Sequence, residues 1–160
     1  MRELRQRKPN RLFAYDYSQN GAYFITICIK DRHEILWDPV VGATCGRPYL
    51  SDIGQAVENE IDRLNAAYDN IAVDCFVVMP NHVHMVLIIA SCGRPQVAPT
   101  TISRVIQQWK GVITKQIGFS PWQKSFHDHI IRNEKEYCRI VEYIQNNPLN
   151  WEQDCFYTPK

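Results

Sequence analysis

The chain predicts an α+β domain of the ferredoxin-like split βαβ type, an antiparallel sheet with helices on one face and an extra C-terminal helix bearing a tyrosine. Three observations lead there. Apolar, β-branched runs at 22–29, 72–78, 82–89 and 126–132 read as strands. Helical spacing fills the gaps after the first and third strands, and again after the fourth. Only the turn at Pro80 and Asn81 separates the second strand from the third, so these two form a hairpin.

Each element has a local reason. Residues 22–29, Ala-Tyr-Phe-Ile-Thr-Ile-Cys-Ile, are aromatic and branched, as strands are. Pro39, Gly42, Gly46 and Pro48 then mark a loop at about 38–50. Ser51 and Asp52 offer an N-cap, and Ile53, Val57, Ile61 and Leu64 recur at helical spacing over 52–67. A second Gly/Pro loop spans about 90–99. Thr100 or Thr101 caps the next helix, with Ile102, Val105, Ile106, Trp109, Val112 and Ile113 on its apolar face. In the fourth strand Phe126, Asp128 and Ile130 share one face and His127, His129 and Ile131 the other. Asn133 caps a last helix over 134–147, and Pro148 stops it.

Bulk properties narrow the class. The 160 residues suit one domain, 1–160, with a core of its own. An apolar content of 45% with a net charge of +1 argues against disorder. No run reaches the roughly 18 apolar residues of a membrane span, and residues 1–5 lack a signal peptide's apolar region, so the expectation is a cytoplasmic protein away from membranes. Cys28, Cys75 and Cys138 lie in apolar runs and are expected in the core of a protein kept reduced. The segment 1–12 is basic: Arg2, Arg5, Arg7, Lys8 and Arg11 stand against Glu3 alone, a pattern that suits a polyanion and equally a solubilising terminus. Cys45-Gly46-Arg47-Pro48 recurs as Cys92-Gly93-Arg94-Pro95, one copy in each loop. These are expected to be inserted copies of a short element with no catalytic role, chance being the rival.

Chemistry concentrates in two places. Along the third strand His82 and His84 point to one side, about 7 Å apart at the Cα level, while Val83, Met85, Leu87 and Ile89 point to the other. Two imidazoles on one strand face form half of a divalent-metal site; a pair that only hydrogen-bonds on a sheet is the plainer alternative. On the last helix Tyr137, Ile140, Val141 and Ile144 fall within an arc of about 100°, the buried stripe. Tyr143 lies about 110° from the middle of that arc. Asn147 sits one turn beyond it. With His82 and His84 as nitrogen ligands and Asn147 as an oxygen ligand, the set suits Mg²⁺ or Mn²⁺ recruited with a phosphate substrate. Tyr143 would attack that phosphate, leaving a covalent phosphotyrosine that can be religated.

These residues resemble a known family. Met79-Pro80-Asn81-His82-Val83-His84 looks like the HUH motif (histidine, bulky hydrophobe, histidine), and residues 141–148, Val-Glu-Tyr-Ile-Gln-Asn-Asn-Pro, resemble the tyrosine helix of the REP-associated tyrosine transposases. Trp122 and residues 126–133 are similar to the strand before that helix. The resemblance implies a metal-dependent enzyme that nicks and religates single-stranded DNA beside REP-like hairpins through a 5′-phosphotyrosine. It implies His82 and His84 as metal ligands, Tyr143 as nucleophile and Asn147 where many relatives carry glutamine. A monomer or a homodimer is compatible with it.

Rival readings remain at this point. Lys110 and the arginines of the N-terminal segment can hold DNA phosphates, or Lys110 can be an ordinary solvated lysine. His127 and His129 form a second H-x-H pair, expected to be structural rather than ligating. Tyr23, Trp109 and Trp122 can stack on bases, although core packing is expected of each. A phosphoesterase whose attacking group is water, or a non-catalytic single-stranded nucleic-acid module, would use the same fold.

Overall fold

A computed structural model describes residues 16, 18–38, 49–90, 101–157 and 159. Arg2, Arg5, Arg7, Lys8, Arg11 and both Cys-Gly-Arg-Pro copies lie outside the described residues. Strands β1 (Gly21–Cys28), β2 (Ile71–Val78), β3 (His82–Ile89) and β4 (His127–Ile131) pair antiparallel in the order β2-β3-β1-β4. Helices α1 (Asp52–Ala67) and α2 (Ile102–Ile117) follow β1 and β3, and α3 (Glu134–Asn146) follows β4. This is the split βαβ arrangement that the element order predicts. Among the described residues no helix is long and apolar enough to cross a membrane.

The two faces of the sheet do different work. On one, Tyr23, Ile25 and Ile27 of β1 and Val83, Met85, Leu87 and Ile89 of β3 pack against Val57, Ile61 and Leu64 of α1 and Val105, Ile106, Trp109 and Ile113 of α2. Each such aliphatic side chain, fully buried, contributes roughly 1.5–3 kcal/mol, which fixes the strand register. On the other face a smaller cluster joins Val77, Met79 and Val86 to Ile144 of α3. The Tyr137 hydroxyl donates to Asp74 of β2 and ties the start of α3 to the sheet edge.

The caps explain the helix limits. Ser51 Oγ accepts from Gly54 N (3.1 Å), Thr101 Oγ1 from Arg104 N (3.4 Å) and Asn133 Oδ1 from Glu136 N (2.9 Å). Gly118, at φ 84, closes α2 in the left-handed conformation that glycine adopts without strain.

The α-helix ends at Asn146, just before Pro148, as expected, and the chain goes on as a 3-10 helix, Asn147–Gln153, with the proline at its start, where its missing N–H is not needed. Three expectations need correction. Val112 is 42% exposed, because the inward arc of α2 is already filled by Trp109 and Ile113. Cys138 is exposed as well, one position past Tyr137 and so turned out of the stripe, whereas Cys28 is buried and Cys75 half-buried. Tyr137, Ile140 and Val141 are only half-buried, leaving Ile144 as the buried anchor of α3. Tyr23, Trp109 and Trp122 are all buried, and the two tryptophan rings pack at a tilt of 40° with centroids 5.0 Å apart.

Of the described glycines Gly54 is the most closely packed: a Cβ there would lie 2.0 Å from the backbone oxygen of Leu36. Gly54→Ala is expected to lower stability in urea by about 1–3 kcal/mol. Gly111→Ala adds a carbon with no atom within 4 Å, and by helix propensity it should be neutral or stabilising by up to about 1 kcal/mol. Equal effects at the two glycines would contradict this packing.

Candidate metal and tyrosine centre

The site begins at the turn between β2 and β3. Its backbone is pinned on several sides: Met79 N donates to His82 O (2.8 Å), Ile29 N to Asn81 O (2.8 Å) and Leu36 N to Pro80 O (3.0 Å). The amide of Asn81 donates from Nδ2 to Phe156 O (2.9 Å) and Arg32 O (3.4 Å). Its Oδ1 is thereby turned to His82 Nδ1 at 2.8 Å. An amide oxygen only accepts, so Nδ1 of His82 carries the proton and Nε2 keeps its lone pair.

His84 is braced in the same way by Thr26, whose Oγ1 lies 2.8 Å from its Nδ1. The two Nε2 atoms face each other at 3.0 Å. Both rings are almost wholly buried, under Phe156 (4.5 Å from His82 between centroids) and Phe24 (5.1 Å from His84). Burial pushes His82 down to about 4, and burial together with the neighbouring His82 pushes His84 down to about 3. Both imidazoles are neutral at neutral pH. Two lone pairs at this distance repel unless one ring donates a proton to the other or both face a cation.

A carboxylate completes the cluster. Residues after α3 wrap back over the sheet and bring Asp154 beside the pair: ligand atoms of His82, His84 and Asp154 lie within 4.8 Å of one another. Asp154 Oδ1 accepts from Phe156 N (2.7 Å), and Oδ2 accepts from Asn147 Nδ2 (2.9 Å) and the Tyr143 hydroxyl (3.0 Å). Burial by itself would raise the Asp154 carboxyl, but these donors and the nearby His82 hold it below the usual range. The same hydroxyl of Tyr143 lies 3.3 Å from His84 Nε2. Burial, then the bond to Asp154, pushes the phenol well above the ordinary tyrosine range, so it is protonated. The residue is nonetheless 41% exposed. It borders a cleft of about 440 Å³ shared with Arg139, Asn147 and Asp154.

Several side chains singled out in the sequence meet here and others do not. His82, His84, Tyr143 and Asn147 come together within one chain. Asn147 is buried and donates to Asp154, while its Oδ1 has no hydrogen-bond partner among the described residues. That unpaired buried oxygen fits a nearby cation or an incoming donor, since an unsatisfied buried acceptor is otherwise costly. Lys110 is elsewhere: its Nζ donates to Gln123 O (2.9 Å) and Ser125 O (3.0 Å), holding the connection into β4. His129 Nε2 pairs with Glu136 (2.7 Å), whose other oxygen accepts from Arg132 N, so this imidazole fastens the turn into α3. His127 is exposed. Asp154, and the positioning roles of Asn81 and Thr26, do not follow from the sequence patterns. Asn81, adjacent to His82 in the turn, was the one a search for side chains beside the histidines would have met.

No profile of a known protein family matches the chain. It is 34% identical over 174 residues to an uncharacterized protein of Haemophilus influenzae, covering 96% of this chain and 94% of that protein. A second protein of the same organism, provisionally named a REP-associated tyrosine transposase, is 22% identical over 144 residues, covering 84% and 73% of the two chains. Among solved structures, a REP-associated tyrosine transposase bound to a REP hairpin has the same fold, with a TM-score of 0.63 at 23% identity over 88% of this chain and 74% of that one.

The histidine geometry makes a calorimetric prediction. Titrated with Mn²⁺, the protein should bind the ion, and His82→Ala should abolish the binding. Asn81→Ala, which frees the imidazole tautomer without removing a ligand, should weaken it about 10–100-fold. Wild-type affinity in Asn81→Ala would show that the amide does not set the site.

Proposed function

We propose that this chain is a REP-associated tyrosine transposase, a divalent-metal-dependent endonuclease and strand-transfer enzyme acting on single-stranded DNA beside hairpins, with Tyr143 as nucleophile; the weak similarity to a relative so named and the shared fold support this reading. The observation that supports this reading most is one hydrogen-bonded cluster: the phenol, the paired imidazoles and a carboxylate, all within one subunit. A tyrosine retained for packing has no need of that company.

In this reading the hydroxyl oxygen of Tyr143 attacks a backbone phosphorus. A Tyr–O–P bond forms, the P–O3′ bond breaks, and the leaving 3′ oxygen takes up a proton to become a hydroxyl. The phenolic proton passes to Asp154, the carboxylate already hydrogen-bonded to it. Asp154 thus orients the nucleophile and receives its proton. Rejoining is the reverse: a 3′ hydroxyl attacks the phosphotyrosine and Tyr143 recovers its proton. His82 and His84, with an oxygen of Asp154 or Asn147, would hold Mg²⁺ or Mn²⁺. Such an ion supplies charge withdrawal from the phosphate oxygens and fixes their position. Asn81 and Thr26 orient the two imidazoles. Phe24, Phe156 and Trp151 surround them and keep the cluster poor in water, where charge interactions are stronger.

The DNA partner follows from the same kinship. The solved relative carries a REP hairpin, and a similar hairpin-bearing strand is the substrate inferred here. Arg2, Arg5, Arg7, Lys8 and Arg11 are phosphate contacts in this reading, which makes binding fall steeply with salt.

The decisive test is covalent trapping. Wild-type protein incubated with a hairpin-bearing single strand and Mn²⁺ should yield a denaturation-resistant protein–DNA adduct. Tyr143→Phe and His82→Ala should yield none, while both still bind the strand. Cleavage that persists in Tyr143→Phe would assign the attack to water. No cleavage by the wild type would leave a binding module.

A further inference from the structure

A larger cavity, of about 980 Å³, lies beyond the tyrosine cleft and has no part in the cluster above. Lys30, Lys110, Lys124 and His127 line it, with Asp31 as its one carboxylate. Lys30 and Lys124 are exposed, and neither has an ion pair among the described residues. Lys110 stands at the wall with two N–H groups committed to carbonyls and no carboxylate partner there. Burial alone pulls its ammonium down to about 8, so a bound anion would relieve it. Trp122, packed against Trp109, adds an aromatic wall.

The sheet links this cavity to the tyrosine centre. Thr26 of β1 pairs with His84 on one side and with His127 on the other. Paired residues point to the same face, so His127 stands on the His84 face, two strand spacings or about 10 Å away. We propose that the cavity binds backbone phosphates of the DNA strand that reaches Tyr143, with Lys30, Lys110 and Lys124 as the contacts. Lys110, Gly111 and Thr114 come from α2 on the other side of the sheet, so a strand leaving His84 would reach the cavity round the β4 edge, where His127 stands. The inference rests on the DNA reading of the tyrosine centre, and it adds a separate anchoring site.

The test is read by binding, in a Tyr143→Phe background, so that failure of the nicking reading leaves it untouched. The variant Lys30→Gln/Lys124→Gln spares Lys110, whose carbonyl bonds hold the fold. Its control is Lys115→Gln/Lys135→Gln, two exposed lysines that do not line the cavity. Affinity for a hairpin oligonucleotide with an unpaired tail is measured from 50 to 200 mM salt. Losing two phosphate contacts should flatten the logarithmic salt slope by about 1.4, so across this range the parent loses about sevenfold more affinity than the variant. The control should keep the parent slope, and a tailless hairpin should show no difference. A slope equal to the control's overturns the site, and an equal flattening with the tailless hairpin overturns its assignment to the strand.

Discussion

A side-chain amide that cannot rotate underlies the arrangement. Asn81 spends both hydrogens on the carbonyls of Phe156 and Arg32, so its oxygen faces His82, and that contact decides which imidazole nitrogen is bare. The carbonyls it uses belong to segments far apart in sequence. Arg32 sits in a turn where it and Asp31 adopt φ 57 and 56, a left-handed conformation that residues with a Cβ rarely take. The guanidinium of Arg32 also lies 5.7 Å over the Phe156 ring. The Arg32 turn thus meets both the Asn81 amide, which sets the His82 tautomer, and Phe156, whose ring covers His82.

The carboxylate of Asp154 is nearly full. An ionised carboxylate has about four acceptor positions, and Phe156 N, Asn147 Nδ2 and the Tyr143 hydroxyl occupy three. What remains is directed to the cluster formed with His82 and His84. These bonds hold the residues after α3 back over the sheet instead of letting them run into solvent. Only a chain that returns over the sheet can supply the backbone N–H of Phe156 and the aromatic cover of Trp151 and Phe156 along with the carboxylate.

The sequence made most of this visible where a period governs. Strand alternation put His82 and His84 on one face, and the helical wheel set Tyr143 apart from Ile144; each follows from residues a few positions away. Asp154 answers to no such period. It reaches the histidines through a 3-10 helix that runs on past Pro148, and nothing local ties residue 154 to residue 82. Lys110 was equally opaque, because its partners are carbonyls of a connection whose path the sequence does not specify. Cys138 and Val112 show the limit of the apolar pattern: an apolar residue beside a stripe is turned out once its neighbours have filled the interior.

The position of β3 explains how an apolar core can serve polar chemistry it never touches. β3 lies between β2 and β1, and its odd residues, Val83 to Ile89, belong to the large core under α1 and α2. A slip of one residue would send all of them to the other face and would carry His82 and His84 into the core. The cost of exposing those four side chains, roughly 1.5–3 kcal/mol each, therefore enforces the orientation of the histidines far more strongly than the hydrogen bonds the histidines make. Asn81 and Thr26 then adjust ring orientation within that register, at the scale of single bonds of about 1 kcal/mol. The division is hierarchical: hydrophobic burial chooses the face, and hydrogen bonds choose the atom.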